Sequence, residues 1–185
     1  MAFAIAPLEK GHDRKPFRCG QPDLDDWFHR RASQDDKRNV ARVFVATDDE
    51  LGVVGFYSLS SFTLSIDDLP EELGRKLPRY EAIPAALIGR LARDVRVRGK
   101  GIGELLLADA VRRILGAGRT LAVFAIVVEA KDAAASAFYE GFGFRPFPLH
   151  PRRLFLLTST ATDAFEKILG GIGKRHDGKR TQHQS

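Results

Sequence analysis

The stretch Val95-Arg96-Val97-Arg98-Gly99-Lys100-Gly101-Ile102-Gly103-Glu104-Leu105-Leu106-Leu107 decides the fold class. The apolar run from Ala86 to Val97 reads as a strand, three glycines break it, and the apolar residues from Glu104 to Leu115 recur at helical spacing until Gly116 and Gly118. A strand that turns through glycine straight into a helix aims successive backbone N–H groups at one point, at the positive end of the helix dipole. That arrangement is a phosphate cradle. Glycine is needed there because a Cβ would hold an anion off the backbone and because such turns use positive φ. Arg98 to Gly103 fails two other phosphate motifs: a Walker A loop ends in Gly-Lys-Ser/Thr, and a dinucleotide fingerprint has a glycine where Glu104 stands. Nucleotide hydrolysis and NAD binding are disfavoured. A glycine turn that merely closes a strand–helix unit stays open on these residues alone.

Outward from this unit the chain alternates strands and helices. Thr120 to Val128 is almost unbroken in apolar residues, as in a strand buried on both faces, and Asp132 to Glu140 reads as a helix ending at Gly141 and Gly143. Phe144 to Phe147 and Arg152 to Thr158 are expected as closing strands, and Thr162 to Leu169 as a last short helix. Upstream, Phe3 to Pro7 is expected as a strand. Pro22-Asp23-Leu24-Asp25-Asp26-Trp27-Phe28 opens a helix with acidic residues in its first turn, with Trp27 as a core anchor. Arg42 to Thr47 and Val53 to Ile66 flank Asp48-Asp49-Glu50 as a β-hairpin. Residues 67–85, with Pro70, Pro78 and Pro84, are expected to be loop with one short helix at Glu71 to Lys76. The class is α/β with a mixed sheet.

At 185 residues, 44% of them hydrophobic and 29% charged, the chain suits one soluble domain, placed at residues 1–169, with a basic, disordered tail at 170–185. No apolar run reaches the length of a membrane span, and Met1 to Lys10 lacks the pattern of an export signal, so the expected location is cytoplasmic, away from any membrane. Cys19 is the single cysteine and is read as packing, and His12, His29, His150, His176 and His183 have no metal-ligand spacing, so no metal is expected. A net charge of +5, partly carried by the tail, favours polyanions such as CoA phosphates or nucleic acid without choosing between them; an RNA-touching tail is the minority reading.

Arg98-Gly99-Lys100-Gly101-Ile102-Gly103 resembles the Arg/Gln-x-x-Gly-x-Gly/Ala pyrophosphate loop of the GNAT acetyltransferases. Lys131-Asp132-Ala133-Ala134-Ala135-Ser136-Ala137-Phe138-Tyr139-Glu140-Gly141-Phe142-Gly143-Phe144 resembles the family's later motif, and the two stand in the family's order. The resemblance implies a GNAT fold, a mostly antiparallel mixed sheet flanked by helices with a splayed central strand pair, and acetyl-CoA as cosubstrate. It implies that the strand ending at Val95 and Val97 splays to admit pantetheine, with Arg98 to Gly103, Asp132, Ala135 and Phe138 also on the cofactor. Phe17-Arg18-Cys19-Gly20, Leu24-Asp25-Asp26-Trp27, Val54-Gly55-Phe56-Tyr57-Ser58-Leu59 and Gly89-Arg90-Leu91-Ala92-Arg93-Asp94 extend the likeness to the GNAT toxins of bacterial toxin–antitoxin pairs. Those toxins acetylate aminoacyl-tRNA, pair with ribbon-helix-helix antitoxins and are often homodimers.

The chemistry bears on the acceptor. Acyl transfer from a thioester needs a neutral amine and a proton for the departing sulfur. Lysine amines, near pKa ~10.4, need a base, whereas an α-amino group near ~8 is already partly neutral. The strand before the loop carries no glutamate where many GNAT enzymes have one, which fits an intrinsically reactive amine but also a base elsewhere, such as Glu129. Tyr139 is the candidate acid, its phenol able to reach the sulfur and protonate it. Arg90, Arg93, Lys37 and Arg38 are the candidate contacts to tRNA phosphates. Two alternatives share the cofactor residues: an enzyme acting on a small amine or protein N-terminus, and a non-catalytic CoA-binding module.

Overall fold

The computed structural model describes residues 2–163 and 165–166. Its elements run β1 (Phe3–Pro7), α1 (Pro22–Arg30), α2 (Ala32–Lys37), β2 (Arg42–Asp48), β3 (Gly52–Leu64), α3 (Glu71–Gly74), β4 (Ile83–Arg93), α4 (Ile102–Ala117), β5 (Ala125–Glu129), α5 (Ala133–Glu140), β6 (Arg145–Phe147) and β7 (His150–Leu157), followed by helical backbone over 158–163. The strands form one sheet in the order β1-β2-β3-β4-β5-β7-β6. Neighbours are antiparallel except β4 and β5, which are parallel because the chain between them crosses over through α4 instead of turning back.

Strand alternation sends side chains to two helical layers. Val43 and Val45 of β2 join Phe17, Trp27, Phe28 and Phe56 under α1 and α2. Phe28 stacks on Phe56 with ring centroids 4.1 Å apart, and Phe17 meets Phe28 edge-on at 4.9 Å. Ala46, Val54 and Tyr57 face the other way, onto Leu106, Leu107, Val111 and Ile114 of α4. Gly55 lets α4 settle there: a Cβ at this position would lie 3.0 Å from Leu106 Cδ1 and 3.1 Å from Ile102 Cγ2. The start of α4 is thereby set close against β3.

The central pair splays. β4 and β5 are paired only from Ala85 opposite Ala125 to Ile88 opposite Val128. Past that point β5 stays with β7 alone, Glu129 opposite Arg153 and the Ala130 N–H donating to the Arg152 carbonyl at 2.7 Å. The parting coincides with a bulge in β4: Ile88 faces Leu59 and Arg90 faces Ser58, which leaves Gly89 as the extra residue. The wedge between Gly89–Arg93 and the end of β5 is the cleft in which the site is built.

Four expectations change in detail. β4 begins at Ile83 and tolerates Pro84 because pairing with β5 starts only at Ala85. It ends at Arg93, not Val97: Val95–Val97 form a 3-10 turn capped by Asp94, whose carboxylate accepts from the Arg96 N–H at 2.8 Å. The expected strand over Thr120 to Val128 is cut to Ala125–Glu129, because Thr120 and Leu121 donate back to the Ala117 carbonyl as the exit turn of α4, leaving Leu121 71% exposed. Thr158 is already helical, so the final helix starts earlier than Thr162, and its expected end at Leu169, like the tail at 170–185, lies outside the described residues.

Candidate active site

After β4 the chain is fixed at Asp94, whose side chain is buried. Its carboxylate accepts from the Arg18 N–H at 3.1 Å, the Arg96 N–H at 2.8 Å, and Arg96 Nε and Nη2 at 2.9 Å each. The Val95 N–H donates to the Arg18 carbonyl at 2.8 Å, so the segment carrying Cys19 is strapped to the end of β4. Gly99 and Gly101 then take φ of +73° and +79°, and α4 starts at Ile102. The first N–H groups of a helix have no intrahelical acceptor. Here they open onto a cavity of about 480 Å³ lined by Arg98, Gly99, Gly101, Ile102 and Gly103. Lys100 is exposed and outside that wall, its N–H bonded to the Val97 carbonyl.

The opposite wall is α5. Asp132 caps it by accepting from the Ala135 N–H at 2.8 Å, and this turns Ala135, Phe138 and Tyr139 toward the same cavity. A second cavity, of about 340 Å³, lies further along the splay between α1, the bulge of β4 and the end of β5, with Leu24, Arg90 and Glu129 in its walls. The two share Leu91, Lys131, Ala135 and Tyr139. Tyr139 therefore stands where they join. It is 6% exposed, and among the described residues its hydroxyl has no hydrogen-bond partner. Burial pushes the phenol up to about 12, so it stays protonated far above neutral pH.

The other anticipated residues divide. Arg90 lines the second cavity, Arg93 the first, and Lys37 and Arg38 sit exposed at the end of α2, in neither. Val97 is wholly buried beneath α4, and the N–H of Val95 is spent on the strap, so the strand surface facing the cleft is Leu91 to Arg93, not Val95 and Val97 as expected. Glu129 receives two hydrogen bonds from Arg153, at 2.7 and 3.1 Å. Cys19 lines the first cavity, a placement its sequence context did not reveal, since a backbone tie to Asp94 across the chain puts it there. Burial, then hydrogen bonding with Asp25, pushes its thiol up, away from the thiolate form.

Residues 39–146, more than half of the chain, match the Acetyltransferase (GNAT) domain. The chain belongs to the GNAT acetyltransferase family. Across 165 residues it is 37% identical to a probable toxin TacT of Sinorhizobium fredii (strain NBRC 101917 / NGR234), covering 84% of this chain and 91% of that one. It is also 37% identical over 154 residues to a tRNA-acetylating toxin of Mycobacterium tuberculosis (strain ATCC 25618 / H37Rv), covering 83% and 91%. Its fold superposes on AtaT complexed with acetyl-methionyl-tRNAfMet with a TM-score of 0.81 at 26% identity, covering 89% of this chain and 99% of that one. A glycine cradle such as the one in the first cavity suits the pyrophosphate of acetyl-CoA, the cosubstrate of GNAT acetyltransferases. Gly101→Val puts a β-branched side chain at positive φ in that cradle. If the cradle holds the pyrophosphate, KM for acetyl-CoA should rise about tenfold or more as an N–H of the cradle is displaced, with KM for the acceptor unchanged; initial-rate measurements against each substrate check it.

Proposed function

We propose that this GNAT acetyltransferase moves the acetyl group of acetyl-CoA onto the amino group of an aminoacyl-tRNA and so blocks translation. We read the first cavity as the donor side and the second as the acceptor side, and the observation that carries the transfer chemistry is Tyr139 in the wall of both, its burial favouring the protonated phenol. Acetyl-CoA supplies an activated thioester. The N–H groups of Gly99, Gly101, Ile102 and Gly103 hold its pyrophosphate, Arg98 adds charge at the rim, and Ala135 and Phe138 bound the pantetheine path beside the open edge of β4. As the C–N bond forms and the C–S bond breaks, Tyr139 gives its proton to the departing sulfur, and the proton shed by the amine restores the phenol, directly or relayed through water. The strand residues Leu87 to Arg93 contribute no carboxylate, and Glu129 is tied to Arg153. Both features suit an amine that reaches the site already neutral, as an aminoacyl ester does.

The toxin reading is supported by the two relatives, each of which matches this chain over most of its length. It carries with it a cytoplasmic place of action, an antitoxin partner of the ribbon-helix-helix class and a homodimeric enzyme. Incubating the purified protein with labelled acetyl-CoA and charged tRNA should place the label on the amino acid, released with it by mild base. Label on free amines or protein N-termini alone overturns the reading. KM for the tRNA should climb steeply with salt, because phosphate contacts release counterions, and a salt-insensitive KM contradicts tRNA as substrate.

A further inference from the structure

Three elements converge on one side chain in the acceptor cavity. The guanidinium of Arg90, just past the Gly89 bulge, lies over the Trp27 ring of α1, 4.0 Å from its centroid. The indole is held in place: its Nε1–H donates to Asp35 Oδ2 of α2 at 2.9 Å, and it packs on Phe56 with centroids 5.8 Å apart. Arg90 is partly withdrawn from water, yet among the described residues no carboxylate or carbonyl accepts a hydrogen bond from it. The carboxylate whose charge reaches Arg90 is Asp35, and its Oδ2 already accepts from the indole of Trp27. A desolvated cation with five N–H donors and no acceptor is costly to keep, and the planar fork it presents matches a phosphate bidentately. Stacking on a ring occupies the face of the guanidinium and leaves those in-plane N–H groups free. The charge also sorts the ligand: Arg90 and Lys131 repel an ammonium and attract a phosphate, while Asp23 and Glu129, the latter tied to Arg153, stand on the other walls.

We propose that Arg90 grips the phosphodiester adjoining the terminal aminoacylated nucleoside, and that Trp27 and Asp35 are positioning residues that hold its guanidinium at the required angle. This rests on the tRNA reading above and adds to it a specific phosphate contact and the pair that aims it.

Steady-state kinetics with two acceptors tests it: an aminoacyl-tRNA, and the methyl ester of the same amino acid, which has the amine but no phosphate. Arg90→Lys keeps the charge and loses the fork, and is expected to raise KM for the tRNA about tenfold. Trp27 is also a core residue, so the positioning role is tested at Asp35. Asp35→Leu should raise KM for the tRNA between about 2- and 30-fold, the range of a cation–π contact, while KM for the methyl ester and for acetyl-CoA holds. Asp35→Asn, whose Oδ1 still accepts from the indole but which lacks the charge on Arg90, should recover most of the loss. In the double variant the loss from Asp35→Leu should be smaller than in the wild type, because Arg90 is the group it acts through and lysine keeps only part of that contact. The inference is overturned if Asp35→Leu affects both acceptors alike, leaves KM for the tRNA unchanged, or adds in full to Arg90→Lys. A wild-type enzyme that acetylates the ester and never the tRNA sinks the functional reading itself, a separate result.

Discussion

Tyr139→Phe is expected to lower kcat by about 10²- to 10⁴-fold, the contribution of a positioned general acid, while acetyl-CoA binds as before. The substitution is close to a pure deletion of chemistry. The ring of Tyr139 packs against Phe138 and Phe144, at centroid distances of 5.3 and 5.5 Å, and Phe fills the same volume. Among the described residues the hydroxyl has no partner to orphan, so folding should be unchanged or slightly favoured. On the proposed reading the donor is held chiefly at the glycine loop, on the far wall of its cavity, so its dissociation constant measured by calorimetry should stay within about a factor of 3, well inside 1 kcal/mol. The pH profile follows from the phenol being pushed up to about 12. A raised pKa keeps the acid protonated, so kcat/KM of the wild type should rise with pH as the amine loses its proton and then level off, with no fall from Tyr139 until pH nears about 12. An unchanged kcat in the variant, or an alkaline fall near neutrality that disappears with it, contradicts the assignment.

The sequence exposes this site because the glycine loop and the α5 motif are local signals. Glycines at the end of an apolar run and before a 3.6-residue periodicity announce a strand–turn–helix whatever surrounds them, and Gly99 and Gly101 do take positive φ. Phe138 and Tyr139 are likewise adjacent in sequence and both reach the cleft. Features that depend on distant pairing stay hidden. Nothing in Val95-Arg96-Val97 says that the strand stops at Arg93; Asp94 decides it, by accepting from Arg18, which is 76 residues away. The first half of the run from Thr120 is apolar enough for a strand, yet its N–H groups close the exit of α4 instead. The Trp27 and Arg90 stack combines two residues that read separately as a core aromatic and a solvated charge. In each case a side chain's role is set by a partner that periodicity cannot name.

Asp94→Ala should be the most destabilising single change near the site, lowering stability by about 3 kcal/mol and Tm by about 6–12 °C. The carboxylate gathers four donors, and they belong to segments that otherwise have little in common: the strap before α1, through Arg18, and the turn leading to the glycine loop, through Arg96. Arg96 continues the link to the carbonyls of Leu51, in the turn before β3, and Val53, at its start, at 3.3 Å each. Alanine strands the Arg18 and Arg96 N–H groups away from water and leaves a guanidinium anchored only to carbonyls. The sign with pH also follows. Burial works to raise the Asp94 carboxyl, but the hydrogen bonds from Arg96 and Arg18 outweigh it and hold it below the ordinary carboxylate range. A lowered folded pKa means that the stabilisation is fully present above the unfolded value near 3.8 and disappears as pH falls through the folded one. Thermal melts of wild type and variant should therefore differ by a constant amount from pH 5 to 8 and converge below about pH 4. A gap that stays open in acid would mean that the loss comes from packing and not from the charge, and so that the cofactor loop is held by something other than this carboxylate.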